Sequence, residues 1–408
     1  MRRYGMLIAM LVAGLAVMRG HAAGAATPAG AAAAAGAVVP AEELVFIGNW
    51  GHMPPGSDKT PQDKAAPIGI YAARLEVKTG RLTPLALQLT LARADFLLIH
   101  PGLPVLYTVV PPVTGGNGAP SDVYSIGFDP ASGRMHILDK VDAGGSDATA
   151  LAIDVASDTL FSANHGSGSV SAIALRADGR LGAVSSLQKE TGSGPNPRQR
   201  SAEPHDVAVD PSGHYVMVAD FGADRLFIYR FDRGSRALAP AKTPAVVLPA
   251  GSGPRHLAFT PDGRYFFLDT ELTAQLRSYR WDAAHGTARL VQTLQPYPAT
   301  GGGQKSGGDI VVSRDGRFAY LTLRGDQNVI VVYAVDARGH LKEIQRVPAQ
   351  GGEPWNAGID PSGQWLLVTD LAANAVVEFR IDSHTGRLSA TGESLRVRDP
   401  VGVVFYPG

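Results

Sequence analysis

Six repeats of similar length, each built from short apolar strands, predict an all-β chain folded as a seven-bladed β-propeller. Each repeat reads as an apolar strand, a turn such as Asp-Pro-Ser-Gly or Pro-Asp-Gly, two further strands and an Asp-rich turn. Repeats of this length with several strands per unit are typical of propellers, in which one repeat forms one sheet. We therefore expect four-stranded antiparallel blades arranged in a ring.

The repeats differ in clarity along the chain. The four clearest begin at His205, His256, Asp309 and Asn356, and two weaker repeats begin at Asp95 and Leu151. Successive turns are 54, 56, 50, 53 and 47 residues apart, at Pro101, Val155, Pro211, Pro261, Arg314 and Pro361.

The seventh blade is predicted from segments at both ends of the chain. Strand-like sequence at residues 44–52 and 68–82 lacks a complete repeat of its own, and residues 401–406 form a lone apolar strand. Pairing of this C-terminal strand with the N-terminal strands would complete the blade and remove exposed sheet edges. We assign the propeller to residues 43–408.

The N-terminus has the order of a secretory signal. Arg2 and Arg3 precede an apolar run and then small residues, which predicts a signal peptide over residues 1–25, cleaved after about residue 22–26. The alternative, an uncleaved membrane anchor, is disfavoured because the apolar run is short. Residues 26–42 are read as a flexible Ala/Gly-rich leader. We expect a periplasmic or secreted protein with no stable membrane insertion after cleavage.

Composition excludes several functional classes. The 37 basic and 37 acidic residues balance and form no basic tract, so nucleic-acid binding is not expected. The chain has no cysteine, which excludes disulfides, thiolate nucleophiles and a lipoprotein anchor. No histidine pair has metal-ligand spacing, and the four tryptophans form no repeated quinone-docking motif. We predict a monomer with no metal and no cofactor.

Propeller geometry selects one face for the site. In a four-stranded meander, the loop entering the innermost strand and the loop between the second and third strands lie on the same face. Loops on a rigid scaffold are where binding and catalysis are usually found. The candidates collected in this way are His205, Arg255, His256, Asp309 and Asn356 from the first loops, and His165, Asp220, Glu271, Arg324 and Asp370 from the second.

The segments around these residues resemble the lactonase family of seven-bladed β-propellers, which includes propeller-type 6-phosphogluconolactonases and fungal carboxymuconate lactonizing enzymes. The similarity runs from about Val45 to Tyr406, and its most specific pieces are Asn164-HGSGSV, Gly251-SGPRH, Glu271-Leu272 and Gly352-EPWNAG. The resemblance implies that Glu271, His205, Arg255 and Arg324 are catalytic. We place His256, Asp309, Asn356, His165 and Asp220 with them as substrate-binding residues because they share the face.

The sequence departs from the family pattern in about half of the loops that form the predicted site face. Thr270 replaces an asparagine before Glu271, and Thr322-Leu323 replaces Ser-Asn before Arg324. The other departures are Glu203-Pro204 before His205, Val109-Val110 in place of a glutamate, Asp147-Ala148-Thr149 and Pro354-Trp355-Asn356. These differences weaken any transfer of substrate identity.

Lactone opening needs a proton acceptor for water, a stabilised oxyanion and a proton for the leaving alkoxide. A positioned Glu or His can move the protons, and an arginine can stabilise the oxyanion. Glu271 is therefore either a base or an anchor for the arginines, and a Glu271→Gln change is expected to impair hydrolysis with little effect on thermal stability. The alternative for Arg255 is a simple inter-loop ion pair with that glutamate.

Structural roles remain open for the other candidates. Asp220 and Asp370 fit Asx-type turns, and His205 and His256 fit packing histidines. Arg198 and Arg200 fit a solvated rim that could attract anions.

The sequence favours one function and leaves two alternatives open. The first is an exported lactonase-like hydrolase that opens a small sugar or carboxylated lactone, unphosphorylated because sugar phosphates are cytosolic. The alternative is a non-catalytic periplasmic propeller that binds a small ligand or an envelope protein at the mouth of its channel, and the partner expected in either case is a small lactone or anionic ligand. The third is a muconate-type lactonizing isomerase.

Overall fold

A computed structural model of the chain describes residues 40–51, 66–111, 118–297 and 303–406. It confirms the all-β propeller, with 28 strands in seven four-stranded antiparallel sheets over the described residues. The predicted signal peptide and residues 26–39 of the predicted leader lie outside these residues. No helix in the described part of the chain has the length and apolarity needed to cross a bilayer.

The first three blades follow the predicted segments. Blade 1 combines β1 (Glu42–Asn49), β2 (Gly69–Glu76) and β3 (Leu82–Thr90) with the last strand, β28 (Pro400–Tyr406). Blade 2 consists of β4 (Phe96–Ile99), β5 (Val105–Val110), β6 (Pro120–Phe128) and β7 (Met135–Ser146). Blade 3 consists of β8 (Ala148–Asp154), a single 3-10 turn η1 (Val155–Ser157), β9 (Thr159–Asn164), β10 (Ser169–Leu175) and β11 (Leu181–Lys189).

The four clearest repeats form the remaining blades. Blade 4 consists of β12 (Pro204–Val209), β13 (Tyr215–Asp220), β14 (Arg225–Asp232) and β15 (Ala237–Val247). Blade 5 consists of β16 (Pro254–Phe259), β17 (Tyr265–Thr270), β18 (Leu276–Asp282) and β19 (Thr287–Leu294). Blade 6 consists of β20 (Lys305–Val312), β21 (Phe318–Gly325), β22 (Val329–Val335) and β23 (Leu341–Pro348). Blade 7 consists of β24 (Pro354–Ile359), β25 (Trp365–Asp370), β26 (Ala375–Ile381) and β27 (Leu388–Arg396).

The hydrophobic core lies between neighbouring blades. Every residue of the second strands β13, β17 and β25 is buried, whereas the outer strand β27 is mostly exposed. One core cluster joins Met217 and Ile228 of blade 4 to Phe266 and Trp281 of blade 5. Because each sheet is covered on both faces by its neighbours, the middle strands read as continuous apolar runs instead of alternating ones.

The ring closes through blade 1, as predicted. Strand β28 pairs antiparallel with β1, from Leu44 opposite Tyr406 to Gly48 opposite Gly402. Blade 7 is fastened to blade 1 by the indole N–H of Trp365, which donates a 2.8 Å hydrogen bond to the carbonyl of Val77. The C-terminal strand therefore supplies the innermost strand of the first blade.

Polar side chains also join adjacent inner strands. Asp206 Oδ2 accepts from the backbone N–H of Leu257 at 3.0 Å, and Asp309 Oδ2 accepts from Asn356 Nδ2 at 2.7 Å. Asn356 Oδ1 in turn accepts from the N–H of Val403 at 3.0 Å. These bonds fix the inner strands of successive blades relative to one another at the level where the site begins.

Candidate functional site

The inner strands share a bulge near their first residues. In six of the seven described sheets the pairing register shifts at this point, which leaves one or two residues of the inner strand unpaired. Such bulges turn a side chain away from the regular ladder and are frequent beside active sites. The unpaired residues include Thr149, His205, Arg255, Gly308, Trp355 and Val401.

Five of these six residues, all except Gly308, line one small cavity, which we call the bulge cavity. Its volume is about 110 Å³. The remaining sheet, blade 2, has no such register shift. There Asp95, the residue directly before β4, occupies the corresponding position and lines the same cavity. The cavity is lined by Trp50, Arg93, Asp95, Phe96, Asp147, Thr149, His205, Arg255, His256, Trp355, Asn356 and Val401.

A second, wider cavity of about 500 Å³ adjoins the first, and we call it the arginine cavity. Trp50 and Trp355 line both cavities, so the two form one mouth. The other residues of its lining are Arg198, Glu271, Leu272, Gln304, Lys305, Ser306, Arg324, Gly325, Asp326, Gly352 and Glu353.

Glu271 is bound by three arginines. Its Oε2 lies 3.0 Å from Nε of Arg255 and 3.1 Å from Nη2 of Arg324, and its Oε1 lies 2.7 Å from Nη1 of Arg198. Burial tends to raise the pKa of Glu271, but the three guanidinium groups outweigh it and lower the pKa to about 2. The carboxylate is therefore ionised and fully engaged at working pH, which makes it an anchor and not a proton acceptor.

The two buried arginines have a second set of anchors on blade 6. Arg255 Nη1 donates to the carbonyl of Gly308, and Arg324 Nε donates to the carbonyl of Gly307 at 3.0 Å. A Cβ atom at Gly307 would lie 2.5 Å from the carbonyl oxygen of Thr270, and one at Gly308 would lie 2.3 Å from Oγ1 of Thr322. Only glycine fits at this close approach of the chains.

Trp355 packs against both guanidinium groups. The Cζ atoms of Arg324 and Arg255 lie 4.5 and 5.3 Å from its ring centroid, within cation–π range. Arg255 lines the bulge cavity, and its Nη2 makes no hydrogen bond to the described residues. This guanidinium is thus held at three points and retains a donor for a ligand.

Two histidines, His205 and His256, form the part of the wall next to Arg255. The ring centroids of His205 and His256 are 5.0 Å apart, and His165 lies 6.1 Å from His205. Burial, together with the positive charges of Arg255 and the neighbouring histidines, lowers the pKa of His205 well below its usual range. His205 is therefore neutral, and its buried Nδ1 has no hydrogen-bond partner among the described residues.

His256 has a different environment. Its Nδ1 lies 3.5 Å from Oδ2 of Asp206. Burial and Arg255 lower the pKa of His256, but Asp309 and Asp206 outweigh them and the net shift is upward. His256 is therefore the more readily protonated of the two histidines.

The structure brings together most of the predicted site residues. His205, Arg255, His256 and Asn356 line the bulge cavity, whereas Glu271 and Arg324 line the arginine cavity. Asp309 lies deeper, in the central channel with His256 and Asn356. His165 contacts His205 and Phe221 without lining either cavity.

Asp220 lies outside both cavities. Its Oδ1 accepts from the backbone N–H groups of Glu203 and Ala223 at 2.9 and 2.7 Å. Asp370 makes the equivalent bonds to Glu353 and Ala373 in blade 7. Both aspartates hold turns, which is the structural alternative considered for them from the sequence.

Sequence reasoning did not select Trp50, Arg93, Asp95 or Thr149 as site residues. Trp50 follows β1 as Glu271 follows β17, and Asp95 and Thr149 precede or open inner strands as His205 does. An alignment of the residues that begin the inner strands of all blades, including the weak repeats, would have identified Asp95 and Thr149. Among the described residues no group of three or more His, Asp or Glu side chains could hold a metal ion.

Comparison with known proteins agrees with this architecture. A sequence model of the family "Lactonase, 7-bladed beta-propeller" matches residues 60–405. The 6-phosphogluconolactonase of Bacillus subtilis is 27% identical over 348 residues, 84% of this chain and 95% of the relative. The 6-phosphogluconolactonase of Formosa agariphila is 27% identical over 339 residues, 82% of this chain and 94% of the relative.

A solved structure is similar over nearly the same range. The periplasmic gluconolactonase PpgL of Pseudomonas aeruginosa superposes with a TM-score of 0.81 at 30% identity. The match covers 89% of this chain and 99% of that protein.

Proposed function

Since the chain belongs to the lactonase family of seven-bladed β-propellers, we propose that it hydrolyses a small unphosphorylated sugar lactone or carboxylated lactone at the mouth formed by the two cavities. The observation that carries the proposal is the fixed guanidinium of Arg255, which lines a cavity beside a neutral histidine. Lactone hydrolysis requires such a pair, a charge stabiliser and a proton acceptor.

The roles follow from the contacts. Neutral His205, which lines the bulge cavity, accepts a proton from water, and the water oxygen attacks the lactone carbonyl. Arg255 stabilises the resulting oxyanion, since its remaining N–H groups are preorganised by Glu271 and Gly308. Glu271 acts through the arginines and is a positioning residue.

Three observations favour a substrate without phosphate. Every guanidinium in the described mouth already has a carboxylate partner, Arg93 with Asp95 and Asp147 and the other three with Glu271. A dianionic phosphate would have to compete with these pairs. The N-terminal sequence predicts export away from cytosolic sugar phosphates, and PpgL, which superposes well, is a periplasmic gluconolactonase.

Acid release from a panel of γ- and δ-lactones tests the proposal. With spontaneous hydrolysis subtracted, we expect kcat/KM to be higher for glucono-δ-lactone than for its 6-phosphate. Arg255→Ala should lower turnover about 100-fold, the usual effect of removing one charge-stabilising donor. Arg289→Ala on the outer strand β19 is the control and should leave turnover unchanged. Wild-type protein without hydrolysis above background would favour the ligand-binding alternative.

Export is a separate part of the proposal and has its own test. Arg2, Arg3 and the apolar run after them predict cleavage by signal peptidase. Intact-mass measurement of protein recovered from the periplasm should give a new N-terminus near Ala23 or Ala26. Recovery of the chain in the cytosol with Met1 retained would contradict export without affecting the hydrolase proposal.

A further inference from the structure

One carboxyl group of the bulge cavity has no role in the scheme above. Asp95 precedes β4 at the entry position that His205 and Arg255 occupy in their own blades, so its side chain enters the same cavity. The side chain is 16% exposed. Its Oδ2 accepts from Nη2 of Arg93 at 3.3 Å, and its buried Oδ1 has no hydrogen-bond partner among the described residues.

Two charged groups next to Asp95 act on it in opposite directions: Arg93 favours the ionised carboxylate and Asp147 disfavours it. Arg93 is shared, because its Nη2 also lies 3.6 Å from Oδ1 of Asp147. Asp147 in turn lies 3.9 Å from Nδ1 of His165. The remaining titratable groups that line the cavity are His205, which is neutral, His256, and Arg255, which shares the Glu271 carboxylate with two other arginines.

Burial and these neighbouring groups determine whether the Asp95 carboxyl carries a proton. Burial raises the pKa of Asp95 to about 8; Arg93 and a hydrogen bond with Trp50 oppose the shift, and Asp147 adds to it. At neutral pH the carboxyl therefore carries a proton. Because Asp95 lines the bulge cavity together with His205 and Arg255, this proton lies beside the place where a ligand would bind.

We propose that Asp95 is the general acid of lactone opening and protonates the ring oxygen as it leaves. The inference rests on the proposed hydrolase function. Water loses a proton to His205 as its oxygen bonds to the carbonyl carbon, and the negative charge forms beside Arg255. The bond from carbonyl carbon to ring oxygen then breaks, and that oxygen takes the proton of Asp95 to become a hydroxyl. The proton held by His205 returns to the Asp95 carboxylate, so the cycle consumes one lactone and one water.

A general acid matters only where the leaving group is poor. An alkyl lactone such as δ-valerolactone releases a strongly basic alkoxide, whereas dihydrocoumarin, with the same ring size, releases a phenoxide of much lower basicity, with a conjugate pKa of roughly 10. Asp95→Asn keeps the side-chain volume and removes the transferable proton. It should lower kcat for δ-valerolactone by about 10²–10³ and for dihydrocoumarin by less than about tenfold.

The pH profile of wild-type protein gives a second readout that needs no variant. Turnover of δ-valerolactone should fall above about pH 8, where Asp95 loses its proton, and turnover of dihydrocoumarin should not. Asp178→Asn is the matched control, since that aspartate is exposed on the turn after β10 and should change neither substrate.

The possible results distinguish failure of the general-acid role of Asp95 from failure of the hydrolase function. If wild-type protein opens both lactones and Asp95→Asn slows them equally, or slows neither, the role of Asp95 as general acid is wrong. If turnover of the two substrates falls equally above about pH 8, the general-acid role of Asp95 is also wrong. If wild-type protein opens neither lactone nor any other member of the panel, the hydrolase function itself fails.

Discussion

Replacing Glu271 by glutamine is expected to lower lactone hydrolysis by about 10²–10³ and the free energy of unfolding by about 3–5 kcal/mol. The carboxylate holds the two buried arginines Arg255 and Arg324 through one oxygen, and an amide would leave both charges without compensation. Arg198 is largely exposed and can turn to solvent. The contacts thus revise the sequence-based expectation of a small effect on stability.

The pH dependence of stability provides a direct check on this change. The pKa of Glu271 is about 2 in the folded protein against an ordinary value of 4.5. Because the folded pKa is the lower one, the carboxylate stabilises the fold above about pH 4.5, and this contribution is lost as the pH falls toward 2. The difference in unfolding free energy between wild type and Glu271→Gln should therefore be full at pH 6 and shrink below pH 4.5.

Glu343→Gln is the matched control. Glu343 forms a partly exposed pair with Arg346 on the outer strand β23, where such pairs contribute little. We expect less than about 1 kcal/mol and unchanged turnover. A Glu271→Gln protein with wild-type stability at pH 6 would contradict the anchoring role.

Removal of residues 399–408 is expected to abolish cooperative folding. Strand β28 supplies the inner strand of blade 1, and its first four residues are buried against blades 2 and 7. Without it, β1 exposes a row of unpaired backbone groups along the channel and the ring cannot close. The truncated protein should aggregate or lack a sharp thermal transition in circular dichroism.

A synthetic peptide of residues 399–408 is the control for this deletion. If loss of the strand pairing is the cause, the peptide added during refolding should restore a cooperative transition. A truncated protein that melts at the wild-type temperature would show that β28 does not close the ring.

The fold was predictable because the repeat is visible in the sequence. Apolar strands separated by Pro-x-Gly turns recur with the period of one blade, and the lone strand at 401–406 required a partner. The repeat also placed Arg255 and Glu271 on the same face of one blade, in its strand-entry loop and in the loop between its second and third strands. Their contact with Arg324 of the next blade follows from the shared face.

The remaining part of the site depends on features that a single repeat does not show. Arg198 reaches Glu271 from the loop between blades 3 and 4, and the path of that loop is set by tertiary contacts. Asp95 lies in the weak repeat that forms blade 2, whose turn at Pro101 lacks the usual Asp-Pro-Ser-Gly sequence. The bulges that turn His205 and Trp355 into one cavity are a property of strand pairing, which composition does not reveal.

The pairing of β28 with β1 also sets a time order for assembly. Six blades consist of consecutive strands and can form as each stretch of chain becomes available, because their contacts are local in sequence. Blade 1 joins the two ends of the propeller and has to wait for the last strand to be synthesised. Until then the channel stays open on one side and Arg255 lacks a closed cavity. For a chain that is exported unfolded, this delay would keep the completed ring, and with it any activity, from appearing before the whole sequence has crossed.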